Sequence, residues 1–225
     1  MNLSSRIQRF IRKMRYENIS SLGVSGQKIY LHLIRPFWSP RHRFFFEGSL
    51  YLPEGQMYMS ERRAMYEAIV AHKPSYCIEI GTWTGGGSTF FLASAFEKIG
   101  NGKVITSEAD HESRMTAIER YKTNLPALTE RIVFLDADSL QPFVGYMKGG
   151  LEAIFLDGAD VGEETKKQYD FFLPHCRPGT ILMAHDWESE KMRLVRPAVE
   201  ADARWRLETY LKPPESIGFV IYIRE

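Results

Sequence analysis

The chain has 225 residues, 44% of them hydrophobic and 25% charged, with a formal net charge of +1. These values are those of a soluble globular protein, expected as one domain with room for a sizeable core. No apolar run approaches the ~20 residues that span a bilayer, and basic residues interrupt the N-terminal stretch too often for a signal-peptide core. The charge is uneven. Residues 1–43 hold nine Lys/Arg against one acid, Glu17, which leaves an acidic body behind a basic arm.

Leu3, Ile7, Phe10, Ile11 and Met14 recur at helical spacing with Arg6, Arg9, Arg12, Lys13 and Arg15 between them, the pattern of a basic amphipathic helix. Three uses of it stay open: docking on the body or on a second subunit, peripheral contact with an anionic membrane, or holding an anionic substrate. Nucleic acid is not expected, because no binding motif accompanies the charge. Residues 20–59 read as an irregular, aromatic-rich cap or lid, with Phe37, Trp38 and Phe44 to Phe46 among glycines and prolines. The domain division expected is therefore 1–59 for the arm and lid, and 60–225 for the main domain.

From Ser60, read as an N-cap, the pattern becomes regular. A helix ends before Pro74, and strands are expected at 76–80, 103–108, 131–136, 151–157 and 180–184. Helices are expected at 88–99, 111–124, 142–148, 163–175 and 190–202, and two last strands at 205–211 and 217–223 around Pro213-Pro214. Strands alternating with helices predict an α/β fold: a Rossmann-like, doubly wound, mostly parallel sheet with helices on both faces. The final pair, joined only by a short turn, predicts an antiparallel edge hairpin. Cys77 and Cys176 sit in apolar contexts and read as free thiols of a reducing cytoplasm.

The stretch 75–91, SYCIEIGTWTGGGSTFF, is a strand, a glycine-rich turn, Ser88 as N-cap and a helix. That arrangement lets backbone approach a nucleotide-like ligand. In a doubly wound sheet, ligands bind beyond the carboxyl ends of the strands. Those ends here carry Glu79-Ile80-Gly81, Glu108, Asp136 to Ser139, Asp157-Gly158 and His185-Asp186-Trp187. Acids clustered without a function repel one another, so five such endings mark a site. Glu108 stands 21 positions after Gly87, the distance at which a carboxylate accepts ribose hydroxyls. Asp138 and Ser139 have the chemistry to read an adenine amine, or simply to cap the next helix.

EIGTWTGGGS, the acid ending the second strand, DADS after the third and FLDG after the fourth resemble the class I S-adenosylmethionine (SAM)-dependent methyltransferases over residues 55–225. The endings FLDG and AHDW are similar to a branch of small-molecule O-methyltransferases that includes sugar and antibiotic modifiers. The resemblance implies a seven-stranded sheet whose last strand is antiparallel, with SAM as cofactor. It implies that Glu79, Gly81, Gly85 and Ser88 shape the methionine pocket, that Glu108 holds the ribose, that Asp138 and Ser139 meet the adenine, and that residues 56–60 close over the methionine end. The loop has one residue more than the common GxxxGxS spacing.

Asp157, His185 and Asp186 come from neighbouring strand ends. By the same resemblance they hold a divalent cation, Mg²⁺ or Mn²⁺, that lowers the pKa of a substrate oxygen. The alternative is metal-free: His185 takes the hydroxyl proton as general base, oriented by Asp157 or Asp186. The Lys that catechol-type relatives carry three residues after the fourth-strand Asp is Asp160 here. The expected activity is cytoplasmic methyl transfer to a hydroxyl of a small molecule, a sugar or glycosylated metabolite being the first guess. The chain acts alone or as a homo-oligomer. Two other readings stay open: a nicotinamide-dependent reductase, which the missing GxGxxG disfavours, and a non-catalytic cofactor-binding or membrane-surface partner.

Overall fold

A computed structural model describes residues 57–136, 139–212, 216 and 218–225. The basic N-terminal helix, the aromatic lid segment up to Gln56, Asp138 and the Pro213-Pro214 turn lie outside the described residues. Among the described residues, no helix is long and apolar enough to cross a membrane.

Helix α1 spans Met59–His72 and precedes β1, Tyr76–Ile80. Its N-cap lies two residues earlier than expected, at Tyr58 rather than Ser60. The reason is Glu61, whose Oε2 accepts the Tyr58 backbone N–H at 2.6 Å. Then come α2 (Ser88–Ile99), β2 (Lys103–Ser107), α3 (His111–Asn124), a single turn α4 (Pro126–Thr129) and β3 (Ile132–Leu135). The N-cap of α2 is Gly87, and Ser88 is the first helical residue rather than the cap.

A 3₁₀ segment, Gln141–Gly145, stands where a short helix was expected, ahead of β4, Leu151–Leu156. Helix α5 covers Gly162–Phe172, and Pro174 turns the remainder into a 3₁₀ piece, Leu173–His175. Strand β5, Cys176–Ala184, starts earlier than expected: Pro178-Gly179 lies inside it, where its register with β4 shifts between Leu151 and Ala153. A bulge is where a strand tolerates proline. The expected helix at 190–202 divides into a 3₁₀ turn, Glu190–Met192, and α6, Val195–Ala201. Pro197 lacks the N–H that would bond back toward Arg193, so the helix cannot run through. Strands β6 (Trp205–Leu211) and β7 (Phe219–Arg224) end the fold.

The seven strands lie in the order β3-β2-β1-β4-β5-β7-β6. β1 to β5 pair in parallel, and β7 runs antiparallel between β5 and β6. Both faces are covered, as parallel sheets require. One core joins Ile78, Ile154, Leu182 and Val220 to Phe172, Trp187 and Val199. On the other face Cys77, Phe155, Met183 and Phe219 are buried together with Met65 and Ile69 of α1 and Phe90 of α2. Cys77 and Cys176 are free thiols.

Candidate active site

The sheet register sets five strand ends side by side. Ile80 pairs with Ser107 on one flank and with Leu156 on the other; Ser107 pairs with Leu135, and Leu156 with Ala184. The next residue of each strand therefore falls in one row: Asp136, Glu108, Gly81, Asp157, His185. All five were expected at the cleft, and one sheet edge delivers them together.

At the left of that row lies the glycine turn. Gly81 has φ of +98°, and a Cβ there would stand 2.8 Å from Gly158 Cα and 3.0 Å from its N. A side chain at 81 is thus excluded by conformation and by space. The Gly81 and Thr82 amides donate to Ser107 O, and Tyr121 Oη donates to Gly85 O at 2.7 Å. Gly87 meets nothing within 4 Å of a Cβ position, so backbone is open there.

Glu79 lies beneath the turn with no exposure. Its Oε2 accepts from Thr89 Oγ1 at 2.7 Å, while Oε1 is buried and makes no hydrogen bond. Burial pushes this carboxyl up to about 7, against the hydroxyls of Ser88, Thr106 and Thr89, which pull it down. Glu108 accepts the Trp83 N–H at 2.7 Å and the Asp110 N–H at 3.0 Å, which ties the glycine turn to the end of β2. Each of its oxygens keeps a second lone pair. Arg114, unforeseen in the sequence, donates to Glu108 O at 2.7 Å and pairs with Asp136. Ser139 is exposed. An unpartnered buried carboxylate oxygen, an open glycine backbone and a strand-end carboxylate beside it fit the amino-acid and ribose ends of an adenosyl cofactor.

At the right of the row, charged groups crowd together. His185 is fully buried. Its Nε2 lies 3.1 Å from Glu61 Oε2, and its Nδ1 lies 3.3 Å from Asp157 Oδ1 and 3.6 Å from Asp186 Oδ1. Lys191, 8% exposed, points its ammonium at Asp157 O (3.0 Å), Asp157 Oδ1 (2.5 Å) and Asp186 Oδ2 (3.3 Å). Glu61 Oε1 in turn accepts from Ser216 Oγ. Asp186 has φ of +59°, a left-handed conformation that Asp tolerates better than most residues.

Burial by itself lowers the His185 pKa. Hydrogen bonding and charge from Asp157, then from Glu61, outweigh it and bring the imidazole up to about 10. Burial likewise opposes ionisation of Asp157, but His185 and Lys191 hold that carboxyl below its ordinary range. Both ring nitrogens of His185 face carboxylates, which only accept, so the ring donates at both. The general-base role expected of His185 is not one that this arrangement offers.

The expected metal donors, Asp157, His185 and Asp186, do converge: one ligand atom of each lies within 4.8 Å of the others. A metal-binding His is usually backed by a carboxylate on its other nitrogen, and Glu61 has that position. The place between the two aspartates, however, belongs to the Lys191 ammonium, and the residues as arranged do not fit a divalent ion.

Glu61 and Lys191 were both missed from sequence. Glu61 comes from a helix that precedes the first strand. Lys191 sits in a 3₁₀ turn after β5, and no local spacing announces that it folds back on Asp157.

Residues 78–187 match the family model described as a methyltransferase domain. No curated protein sequence matches the chain. Among solved structures, the fold is similar to an O-methyltransferase from Bacillus cereus in complex with S-adenosylhomocysteine (SAH), at 19% identity and a TM-score of 0.65, over 94% of this chain and 100% of that one. It is similar to TomG from Streptomyces achromogenes, an O-methyltransferase of tomaymycin synthesis solved with SAM (14% identity, TM-score 0.64, 94% and 99% covered). It also resembles the SAH-bound methyltransferase PaMTH1 of Podospora anserina (13%, 0.60, 83% and 88%). At these identities the likeness establishes the class I methyltransferase fold.

Proposed function

We propose that this chain, a methyltransferase domain of class I fold, transfers a methyl group from SAM to a hydroxyl of a small molecule. The observation that carries the reading is the row of strand ends, which sets an open glycine turn, flanked by Glu79 and Glu108, beside the Asp157–Asp186 carboxylates. SAM, when bound, supplies an electrophilic methyl on a sulfonium. The solved relatives named above include O-methyltransferases with SAM or SAH, and they support oxygen as the acceptor atom.

In this reading Gly81 and Gly85 shape the turn at the methionine end, their own amides held by Ser107 O and Thr82 O, and the backbone open to the ligand is that at Gly87. The free Oε1 of Glu79 accepts a donor from that end or from the turn amides around it. Glu108 accepts ribose hydroxyls on its remaining lone pairs, and Asp138 with Ser139 meets the adenine. Asp157 and Asp186 accept hydrogen bonds from the acceptor hydroxyl and turn its oxygen toward the methyl group. His185 and Lys191 hold those two carboxylates in place as paired, buried cations. Displacement at a sulfonium chiefly needs such alignment.

The substrate class proposed is a sugar or a glycosylated metabolite, which rests on the likeness of the strand-end motifs. The division proposed is a basic arm and lid at residues 1–59 and a catalytic domain at 60–225, with the enzyme working in the cytoplasm. The test is thermal stabilisation of the purified full-length chain by SAM, SAH, NAD(H) and NADP(H). SAM and SAH should stabilise, and the nicotinamide cofactors should not. No shift with SAM or SAH at millimolar concentration would sink the proposal, and a shift with NAD(H) alone would replace it with a reductase.

A further inference from the structure

We propose that Lys191 is the resident cation of this site: its ammonium takes the position between Asp157 and Asp186 that a divalent ion would need, so the site works without a metal. The inference rests on the proposed activity only for the last clause. The charge replacement stands on geometry alone.

The ammonium has three N–H groups and three acceptors at hand: the main-chain oxygen and Oδ1 of Asp157, and Oδ2 of Asp186. Each donor has a partner, and the two carboxylates are drawn to one point. A divalent ion bound by the same carboxylates would sit about 2.0–2.2 Å from their oxygens, within the volume the ammonium fills. Two like charges in one buried pocket exclude each other. Lys191 is also poorly placed to withdraw. Its neighbour Met192 is fully buried, and the Met192 and Arg193 amides close the 3₁₀ turn on Ser189 O and Glu190 O. Arg193 fastens the same turn to Glu163 of α5.

A lysine here therefore fixes what a metal would otherwise fix: the spacing of Asp157 and Asp186, and a positive charge beside them. It differs in that all three of its donors are spent on protein. Lys191 is then a positioning residue, acting on the acceptor through the carboxylates. Removing it should open the place between the two aspartates to a divalent ion, with His185 as a third ligand once that ion displaces the proton on Nδ1.

The experiment is an electron paramagnetic resonance titration of Mn²⁺ into full-length protein with SAH present. Wild type should leave the ion free at about 100 μM, whereas Lys191→Met should bind one Mn²⁺ per chain at least tenfold tighter. Lys191→Met combined with Asp157→Asn should lose that ion again. Should Lys191→Met fail to fold by circular dichroism, Lys191→Gln takes its place. Wild type binding one Mn²⁺ per chain as tightly as the variant overturns the proposal, and so does a folded variant that gains no Mn²⁺. Stabilisation by SAH is read in the same samples: its loss counts against methyl transfer and leaves the Mn²⁺ comparison intact.

Discussion

Glu61 and His185 are 124 residues apart in sequence and 3.1 Å apart in the fold, neither with any side-chain exposure. One carboxylate thereby does three things. It caps the first turn of α1 through the Tyr58 amide, accepts from Ser216, and receives His185 Nε2. Helix α1 is thus fastened to the charged end of the row rather than resting on the sheet by apolar contact alone.

Glu61→Gln keeps the shape and removes the charge. An amide group turned toward His185 or the Tyr58 amide sets donor against donor. Breaking a buried pair in this way costs about 3 kcal/mol or more, which should appear in urea denaturation as a lower midpoint with unchanged slope. A loss within about 0.5 kcal/mol would mean that the pair contributes nothing.

Asp157→Ala strands two cations at once, His185 and Lys191. Stability should fall by about 3–5 kcal/mol. If the domain stays folded, SAH should still stabilise it, since the glycine turn is untouched, while methyl transfer falls at least about 100-fold. Equal loss of SAH binding and of turnover would show that Asp157 belongs to the cofactor side.

Gly81→Ala must place a Cβ against Gly158 in a left-handed conformation. The backbone strain alone costs roughly 1–3 kcal/mol, and either Gly158 or the turn has to move. The expected outcome is a lowered melting temperature together with loss of the SAM and SAH shifts. Gly87→Ala, which meets nothing within 4 Å in the protein, should fold as wild type and weaken only the ligand.

Glu79 makes a prediction about pH. Its carboxyl titrates at 4.5 ordinarily and at about 7 when folded. Between those values the unfolded chain releases this proton while the folded chain keeps it. Stability of the ligand-free protein therefore declines as pH rises from about 4.5 to 7, by at most about 3 kcal/mol, and levels off above that. Glu79→Gln should remove this part of the slope in urea titrations at pH 5, 6, 7 and 8. A slope unchanged by the substitution would assign it to other groups.

The architecture was legible because strand and helix periods alternate without a break from Pro74 onward, and a parallel sheet buried on both faces writes long apolar runs such as 151–156. Strand-end residues were legible for a related reason. Where a strand ends in register with its neighbour, the next residue must stand at the cleft, and Glu108, Asp157 and His185 needed no further information. Prolines 174, 178 and 197 were visible, but their effect depended on register and on which turn they entered. Glu61 and Lys191 were not legible. Each reaches His185 or Asp157 from an element whose own pattern concerns only its local helix or turn, and charge pairing across 124 or 34 positions leaves no period. They also change the chemistry, from an imidazole base to a pair of buried cations.

The order β5-β7-β6 has a consequence for how the chain acquires its shape. β5 presents Ile181 to Ala184 to a partner that arrives only at 220–223. Until then a hydrophobic strand margin, with His185 next to it, has no hydrogen-bonding neighbour on that side, which is the kind of surface that recruits other chains. A chain stopped after Leu211 would keep that margin open for good, and aggregation during synthesis, rather than a weakened native state, should be its failing.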